Sequence, residues 1–445
     1  MKLKPLLRPV TIMSLLLIGP SASAANEPLG LVEAVQIALE GNNDLLSKKA
    51  QLDADSEAAN QSWGSILPNV TFRYTSGYSE YDTEILNQRD SRDDSFNRAT
   101  LSVVQPIYAP KRFRDIERSE QMVTTKTIQF ELDQQIKSLE VIESYLDLLK
   151  YNHALELSQE ELEAHKSVLK RLDSMLKRGL STKMDTLEAY SRRDQLKANV
   201  ISNRNEVILR IKRLETLLGR PVDKISSIDI DLWKRTEQIL SKKTSYNKVL
   251  SNTPIVQVAE NNYKEARLAV DVQKADYLPE INLRAEATDT DSYETIIRDE
   301  RKIQLELIFP LYQGGTTDSK VNAAQKVKLS RQYFLAERKR LVRVELEDTL
   351  SQLNNGQANI IALQQSVISS QSYLDAAEKG LQYGLRSQYE VLDAKSKVYS
   401  AKQKLSSEIY NNLNNQFRLL FLVGKLNAKN LSNYLISSQL LDEIK

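Results

Sequence analysis

Residues 177–220 read KRGLSTKMDTLEAYSRRDQLKANVISNRNEVILRIKRLETLLGR, and they align without a gap on residues 382–425, which read QYGLRSQYEVLDAKSKVYSAKQKLSSEIYNNLNNQFRLLFLVGK. The offset between the two stretches is 205 residues. The identities include Gly179/Gly384, Leu180/Leu385, Leu187/Leu392, Ala189/Ala394, Ser191/Ser396, Lys197/Lys402, Leu214/Leu419 and Gly219/Gly424. Self-similarity over such a length indicates a duplicated structural unit.

The duplication continues upstream of these stretches. Residues 105–108 (QPIY) match residues 309–312 (FPLY) at an offset of 204, and Leu67-Pro68 matches Leu278-Pro279 at an offset of 211. Each unit has the same order of parts, which is a helix, two strands, a long helix and a returning helix. The Xaa-Pro steps mark the ends of the first helices, because proline disfavours the α conformation in the residue before it.

These boundaries divide the chain into five segments. We expect a first repeat at residues 25–220 and a second repeat at residues 253–425, each with a helix, two strands and a long helical hairpin. The linker at 221–252 and the tail at 426–445 are expected to form a small equatorial subdomain on the side of the helices. Residues 1–24 form the remaining segment.

Residues 1–24 have the pattern of a secretory signal peptide. Basic residues precede a short apolar run at 10–18, and Ala22-Ser23-Ala24 offers a small-residue cleavage site. The run of nine residues is shorter than the roughly 20 that a membrane-spanning helix needs. No cysteine follows the cleavage site to carry a lipid. We expect an exported, non-lipidated mature chain.

The helices are predicted to be very long. The chain has only 13 Gly and 11 Pro in 445 residues, and the runs 111–178 and 316–383 contain no proline. At 1.5 Å per residue each run reaches roughly 100 Å. Shorter helices are expected at about 31–62 and 253–276. Apolar residues in the long runs follow the 3-4 spacing of a coiled coil, and both His153 and His165 lie on this seam, where we expect them to set helix register rather than bind a ligand.

Four segments between the helices alternate with the period of a strand. They occupy residues 69–78, 99–105, 281–288 and 303–309, and each has one apolar face and one polar face. This pattern suits strands with lipid on one side and water on the other, although an ordinary sheet packed on a core has the same alternation. The acidic stretch 79–97 is expected to be a solvent-facing loop. Four strands cannot close a barrel, so an interpretation as a lipid-facing barrel requires an oligomer.

Composition excludes several classes of protein. The chain has no Cys and two His, which excludes disulfides and thiolate metal sites and leaves little material for a zinc site or a general base. With 61 basic and 59 acidic residues, there is no basic surface to suggest nucleic-acid binding. No phosphate-binding loop or catalytic triad is present. We expect no catalytic residues, no metal and no cofactor.

Together these features resemble the TolC family of outer-membrane export ducts. The resemblance rests on the signal peptide, the doubled unit, and the motifs QPIY at 105–108 and FPLYQGG at 309–315. It implies an α+β membrane protein in which four strands per protomer contribute to a 12-stranded trimeric outer-membrane β-barrel. The long antiparallel helical hairpins would form an α-barrel tunnel. The implied partners are two further copies, outer-membrane lipid, a periplasmic adaptor (membrane fusion) protein, and an inner-membrane pump of the ABC, RND or MFS class.

The resemblance also implies a gate at the periplasmic tip of the tunnel. Glu390 and Asp393 look like the carboxylates of the entrance, and Arg386 looks like the residue that holds the tip closed, with Asp185 as its ionic partner. The family often has Tyr where this chain has Leu381, so this part of the closed-state network departs from the family pattern.

Spacing alone gives these residues a second explanation. Glu390 and Asp393 share a helix face at i and i+3, and six such carboxylates in a trimer would favour cations and raise some of the pKa values by crowding. The sequence from Ser387 to Glu390 is also a capping box that starts the returning helix, in which case Asp393 is only a favourable charge near a helix N-terminus. Both roles can coexist.

The expected function is a passive trimeric duct that is not an enzyme and serves type I protein secretion, multidrug efflux or both. The non-lipidated N-terminus and the Gly314-Gly315 ending of the strand motif match the secretion-type or dual-use branch of the family. The alternative is a non-conducting periplasmic coiled-coil protein with a structural or adaptor role. An enzyme is the least favoured of the three functional classes.

Overall fold

The computed structural model of the chain describes residues 28–85, 88–236, 246–292 and 298–436. The expected signal peptide at 1–24 lies outside these ranges. The helices are α1 Leu31–Gly41, α2 Asn43–Gly64, α3 Pro110–Lys177, α4 Lys183–Leu218, α5 Tyr246–Asn252, α6 Pro254–Lys274, α7 Thr316–Gln382, α8 Gln388–Leu422 and α9 Ala428–Ile436, with short 3₁₀ helices at Ile230–Lys234 and Ala275–Tyr277. The strands are β1 Asn69–Ile85, β2 Gln88–Tyr108, β3 Glu280–Ser292 and β4 Arg298–Ile308.

The two long helices have the predicted length. α3 contains 68 residues and α7 contains 67, and each is followed by a returning helix that packs against it. The predicted seam is buried where the helices meet, and its buried residues include Ile142, Leu146, Leu169 and Leu172. Among the helices of the described ranges, none contains an apolar stretch of the length that a bilayer crossing requires.

The first helix is interrupted, which differs from the continuous helix expected at 31–62. Asn42 has extended backbone angles, and its side chain accepts the N–H groups of Asp44 and Leu45, so that it ends α1 and caps α2. Its Nδ2 also donates to the carbonyl of Leu217 at 3.0 Å. The break is therefore the place where the end of α4 meets the junction between α1 and α2.

The second repeat has the equivalent junction. Gly424, at the end of α8, lies against the backbone between α5 and α6, where an added Cβ would approach the oxygen of Asn252 to 2.8 Å. Gly219 has the same place at the end of α4, beside the carbonyl of Gly41. Both glycines have positive φ, of 70° and 73°, which is the usual way to end a helix.

The strands form one antiparallel sheet in the order β1-β2-β3-β4, so β2 and β3 join the two repeats. The register aligns Val70, Val103, Ala285 and Ile303 in one row across all four strands. The next row contains Thr71, Ser102, Glu286 and Lys302. One face of the whole sheet is therefore apolar and the other is polar.

The apolar face is exposed in the single chain. Phe72 and Leu305 are each 68% exposed and Ile303 is 79% exposed. The alternative in which this sheet covers a core of its own chain is therefore wrong for the described residues. β1 and β4 are the edge strands, and each has one side without a paired strand.

The loop expected at 79–97 is wrong. β1 continues to Ile85 and β2 begins at Gln88, with residues paired from Asn69↔Val104 to Ile85↔Gln88. This stretch lacks an apolar face, so its sequence has no hydrophobic alternation that would predict a strand. The backbone N–H and C=O groups of the two strands nevertheless pair with each other across the hairpin. The β1–β2 hairpin extends beyond β3, whose pairing with β2 begins at Phe96.

The main core lies around the middle of the helices. Tyr145 of α3 is fully buried, and its hydroxyl donates to the carbonyls of Leu29 and Ser226 at 2.8 and 2.7 Å. Within the described parts of the linker and the tail, Thr236 donates to Asn412, and the Tyr434 ring packs edge-on against Phe417 at 5.6 Å. Buried hydrogen bonds and aromatic contacts thus attach both segments to α8 and α3.

Candidate functional site

The two hairpin turns have the same backbone structure. Each long helix ends with a glycine at positive φ, Gly179 or Gly384, followed by a leucine whose N–H reaches back to the last turn of the helix. The N–H of Leu180 donates to the carbonyl of Met175, and that of Leu385 donates to the carbonyl of Gly380. These are Schellman turns. Ala189 of α4 and Leu392 of α8 belong to one buried cluster, so the beginnings of the two returning helices lie close together.

Glu390 makes one contact that the sequence predicted, the helix cap, and one that it did not, an ion pair with Arg386. It belongs to the capping box of α8, because its N–H donates to Ser387 Oγ at 3.2 Å and its Oε2 accepts the Ser387 N–H at 2.7 Å. Its Oε1 also accepts from Nη1 of Arg386 at 2.6 Å. The cap and the ion pair coexist on one carboxylate.

These contacts lower the pKa of Glu390 below its usual range. The hydrogen bond from the Ser387 backbone is the main cause, followed by the hydrogen bond from Arg386. Glu390 in turn raises the pKa of Arg386. The increase in carboxylate pKa values expected from crowding concerns three copies around one constriction, so it stays a prediction.

Asp185 is the repeat equivalent of Glu390. The offset of 205 relates the two residues. Both occupy the N3 position of a capping box, and Thr182 is the N-cap residue in the first repeat as Ser387 is in the second. Asp185 Oδ2 accepts the Thr182 N–H at 3.3 Å. The described residues of one chain contain no contact between Asp185 and Arg386, so the lock between them stays a prediction that requires another copy.

Asp393 has a different partner from Glu390. Its Oδ2 pairs with Nζ of Lys397 at 2.8 Å along α8, and Lys397 also lies over the Tyr373 ring of α7 at 5.2 Å. Leu381, at the departure from the family pattern, packs against a small buried cluster formed by Leu374, Ala377, Val391, Ala394 and Val398. Leu381 therefore holds the two helices of the second hairpin together by apolar contact. This contact does not need the hydroxyl of the Tyr that the family often has at this position.

The structure also shows contacts between the two hairpins that sequence reasoning missed. Tyr389 of α8 and Glu188 of α4 line the same cavity, and the negative charge of Glu188 raises the pKa of the Tyr389 phenol. Deeper in the hairpins, His165 of α3 lies 3.2 Å from Ser396 of α8, and the Ser396 hydroxyl donates to Glu161 of α3 at 2.7 Å. The identity Ser191/Ser396 was the only sequence signal, and it did not indicate a partner.

His165 is 98% buried and its Nδ1 has no hydrogen-bond partner. Because the Ser396 hydroxyl donates to Glu161, its oxygen is left to accept from His165, which places the proton on Nε2. Burial lowers the pKa of His165 to about 4, with further lowering by Arg192 and Lys395. A neutral histidine that fixes the alignment of two helices agrees with the register-setting role expected from the seam.

A cavity of about 280 Å³ opens between the hairpins at this level. Its lining includes Glu188 and Arg192 from α4 and Tyr389 and Asp393 from α8. No cluster of His, Asp and Glu side chains within the described ranges could hold a metal ion. The chemistry that this end of the molecule offers is electrostatic: charged groups on two adjacent hairpins that can pair, separate or face a passing solute.

Comparison with known proteins agrees with the architecture. The family model described as "Outer membrane efflux protein" matches residues 34–220 and 245–425, which together are more than half of the chain. Outer membrane protein TolC of Salmonella enteritidis is 26% identical over 447 residues, covering 94% of this chain and 87% of that protein. Alkaline protease secretion protein AprF of Pseudomonas aeruginosa is 24% identical over 420 residues, covering 91% and 86%.

A solved structure has the same fold. The outer membrane protein VceC from Vibrio cholerae matches with a TM-score of 0.76 at 15% identity, covering 88% of this chain and 96% of that chain. The predicted α+β architecture, with two tandem repeats of strands and long helical hairpins, is confirmed. The chain belongs to the outer membrane efflux protein family, which also confirms the resemblance and the outer-membrane location, extending into the periplasm, that its sequence predicted.

Proposed function

We propose that three copies of this chain form a passive duct, with a 12-stranded barrel in the outer membrane and a tunnel of helices below it. The observation that carries the proposal is the sheet, which exposes a continuous apolar face and leaves β1 and β4 as free edges. Free edges of this length are a liability unless another chain pairs with them. Three sheets of four strands joined edge to edge satisfy every edge and turn the apolar faces toward lipid.

The helices support a duct rather than a solid bundle. α3 and α7 each keep an exposed side along most of their length. Neighbouring copies that join side by side would enclose a tunnel. Transport energy would come from a partner pump of the inner membrane through a periplasmic adaptor, and no catalysis by this chain is proposed.

The tip residues would act as the entrance. We propose that Glu390 and Asp393 attract cations there, and that Arg386, with Asp185 of a neighbouring copy, holds the closed state. Support comes from their position at the two hairpin turns: Asp185 and Glu390 lie in the first turns of α4 and α8, Arg386 lies just before α8, and Asp393 lies in its second turn. The intrachain pair of Arg386 with Glu390 already shows that this arginine is available to a carboxylate at the tip.

Extraction from the membrane and native mass test the proposed assembly. A duct of this kind requires detergent for extraction from the outer-membrane fraction and has the native mass of a trimer, whereas the alternative, a non-conducting periplasmic coiled coil, is released without detergent. We expect the first result, and release as a soluble monomer would overturn the proposal.

As the transport process that the duct serves, we favour protein secretion, alone or together with efflux. The chain resembles a protease secretion protein, and its strand motif ends in Gly314-Gly315. A deletion strain distinguishes the two. Lost export of a secreted protein supports secretion, whereas hypersensitivity to dyes and detergents with normal export assigns the duct to efflux alone.

A further inference from the structure

We propose that Ser396, Glu161 and His165 form a latch between the two hairpins, and that acid releases it. In the latched state the Ser396 hydroxyl of α8 bridges His165 and Glu161 of α3. When His165 gains a proton, it pairs directly with Glu161 along α3, and the start of α8 is released. This inference rests on the proposed duct and concerns the regulation of its periplasmic entrance.

A single hydroxyl group makes the bridge between the hairpins. Ser396 Oγ donates to Glu161 Oε1 at 2.7 Å and lies 3.2 Å from His165 Nε2. A serine hydroxyl has one proton to donate, so it can only accept from His165. The bridge therefore joins α8 to two residues of α3 that are four positions apart.

The latched arrangement has no place for a second proton on His165. The imidazole is buried, and its Nδ1 has no hydrogen-bond partner. Protonation there would add an N–H group without an acceptor and a positive charge without contact with water. Both carry a large free-energy cost in a protein interior, so protonation favours any rearrangement that gives the imidazolium a partner.

The charges around His165 also oppose its protonation in this position. The charged side chains on the elements packed around it are Glu161 of α3, Glu188 and Arg192 of α4, Glu378 of α7, and Asp393 and Lys395 of α8. Burial lowers the pKa of His165, and the positive charges of Arg192 and Lys395 lower it further, to about 4. Glu161 is the carboxylate that shares a hydrogen-bond partner with His165.

Glu161 is within reach of a charged His165. Residues four apart on a helix lie on the same face, and both of these side chains already bond the same serine oxygen. The nearest guanidinium nitrogen of Arg192 is 3.8 Å from Glu161, which exceeds hydrogen-bond distance. A direct pair of imidazolium and carboxylate is a charge-assisted hydrogen bond, and it would displace the Ser396 hydroxyl that now lies between them.

Release of Ser396 would loosen the part of α8 that carries the entrance charges. Ser396 lies one turn beyond Asp393, and both line the cavity of about 280 Å³ between the hairpins, which gives the side chains space to rearrange. The buried apolar cluster at this level takes one residue, Leu392, from α8. The polar bridge is therefore a substantial part of what holds α8 to α3 near the tip.

The direction of the effect follows from the two states of His165. Its pKa is about 4 in the latched chain, and it would return towards the ordinary value of 6.5 when release admits water and Glu161. The released state thus binds a proton more tightly than the latched state. Acid favours release, by up to about 300-fold at a pH below both pKa values.

Four variants of the full-length, membrane-extracted protein separate the latch from other effects of acid. Ser396→Ala removes the bridge, and Ser191→Ala is its matched control, because Ser191 is the repeat equivalent of Ser396 and is exposed on α4. His165→Gln removes the group that gains the proton. Glu161→Gln keeps an acceptor for Ser396 but removes the charge that would pair with the imidazolium.

Conductance in planar bilayers should rise in the unmodified protein as the pH decreases towards 4. Ser396→Ala should show this raised conductance already at neutral pH, and Ser191→Ala should follow the unmodified protein. His165→Gln should lose the rise, and Glu161→Gln should need a lower pH for it. All four variants keep Glu390 and Asp393, so titration of the entrance carboxylates is common to them. An unmodified acid response in His165→Gln, or unmodified conductance of Ser396→Ala at neutral pH, would overturn the inference.

A second measurement tests the latch without relying on conduction. The chain has two histidines, so hydrogen exchange at the imidazole carbon, followed by mass spectrometry, reports the protonation of each one separately. His165 should titrate near pH 4, and Ser396→Ala should move its midpoint towards 6.5 while that of His153 stays unchanged. A His165 midpoint that Ser396→Ala does not move would overturn the latch. Absence of current from every variant at every pH, together with the expected midpoints, would instead overturn the proposed duct.

Discussion

Arg386 and Glu390 form an ion pair of 2.6 Å across the first turn of α8, on a carboxylate that also accepts the Ser387 backbone N–H. The first repeat does not reproduce this pair. Its equivalent carboxylate, Asp185, forms the same cap, but Ser181 stands where the second repeat has Arg386. The two hairpin tips thus share a backbone structure and differ in charge.

The carboxylates at the second tip should set ion selectivity. We expect Glu390→Gln/Asp393→Asn to weaken both cation selectivity and block by multivalent cations in planar bilayers, because the fixed negative charge at the entrance is lost. Ser387→Ala is the matched control, since it removes the cap but keeps both charges and should cost only about 1 kcal/mol of helix stability. Unchanged selectivity in the double variant would leave Glu390 and Asp393 as capping residues only.

Arg386 should restrain the tip. We expect Arg386→Ala to raise conductance, and Asp185→Ala to raise it to a similar extent, with no further gain in the double variant because both remove one lock. The exposed pair of Arg386 with Glu390 within one chain contributes little by itself, because solvent screens it. Wild-type conductance in Asp185→Ala would show that the Arg386 contact lies elsewhere.

The glycines at the ends of α4 and α8 should differ in their tolerance of a side chain. Gly219→Ala and Gly424→Ala both place alanine at positive φ, which costs roughly 1–2 kcal/mol. Gly424→Ala should cost more, because its Cβ would also lie 2.9 Å from Pro254 Cδ and 2.8 Å from a backbone oxygen. The melting temperature of the extracted protein should fall further for Gly424→Ala, and equal falls would refute the close approach.

His165 should make stability depend on pH. Its pKa in the folded chain is about 4, below the ordinary value of 6.5, so between these values the unfolded chain binds a proton that the folded chain does not. Stability therefore falls as pH decreases from about 6.5 to 4, by at most about 3 kcal/mol. His165→Gln should flatten the melting temperature over this range relative to the half-buried control His153→Gln. Parallel curves for the two variants would contradict this assignment.

Much of the fold could be read from the sequence because its signals repeat. Prolines and glycines at fixed offsets marked the helix boundaries to within a few residues, and 3-4 spacing marked the buried seam. The break at Asn42 was missed because the apolar pattern continues across it, and only its capping hydrogen bonds show that one helix ends and another begins. The long β1–β2 hairpin was missed because pairing of polar strands depends on backbone groups, which carry no sequence signal.

The site was less accessible to sequence reasoning than the fold. The spacing of Ser387 and Glu390 predicts a capping box, and the structure contains it. The contacts of Tyr389 with Glu188 and of His165 with Ser396 join residues far apart in the chain, and neither the repeat nor the spacing relates these partners. Contacts of this kind depend on how the two hairpins pack against each other.

The most direct test of the proposed duct is the conductance of the purified trimer in planar lipid bilayers. We expect discrete, long-lived, cation-selective current steps, because each trimer would insert one barrel and one continuous tunnel. Insertion of the protein without any current steps, under conditions in which its trimeric mass is preserved, would contradict the claim that this chain conducts.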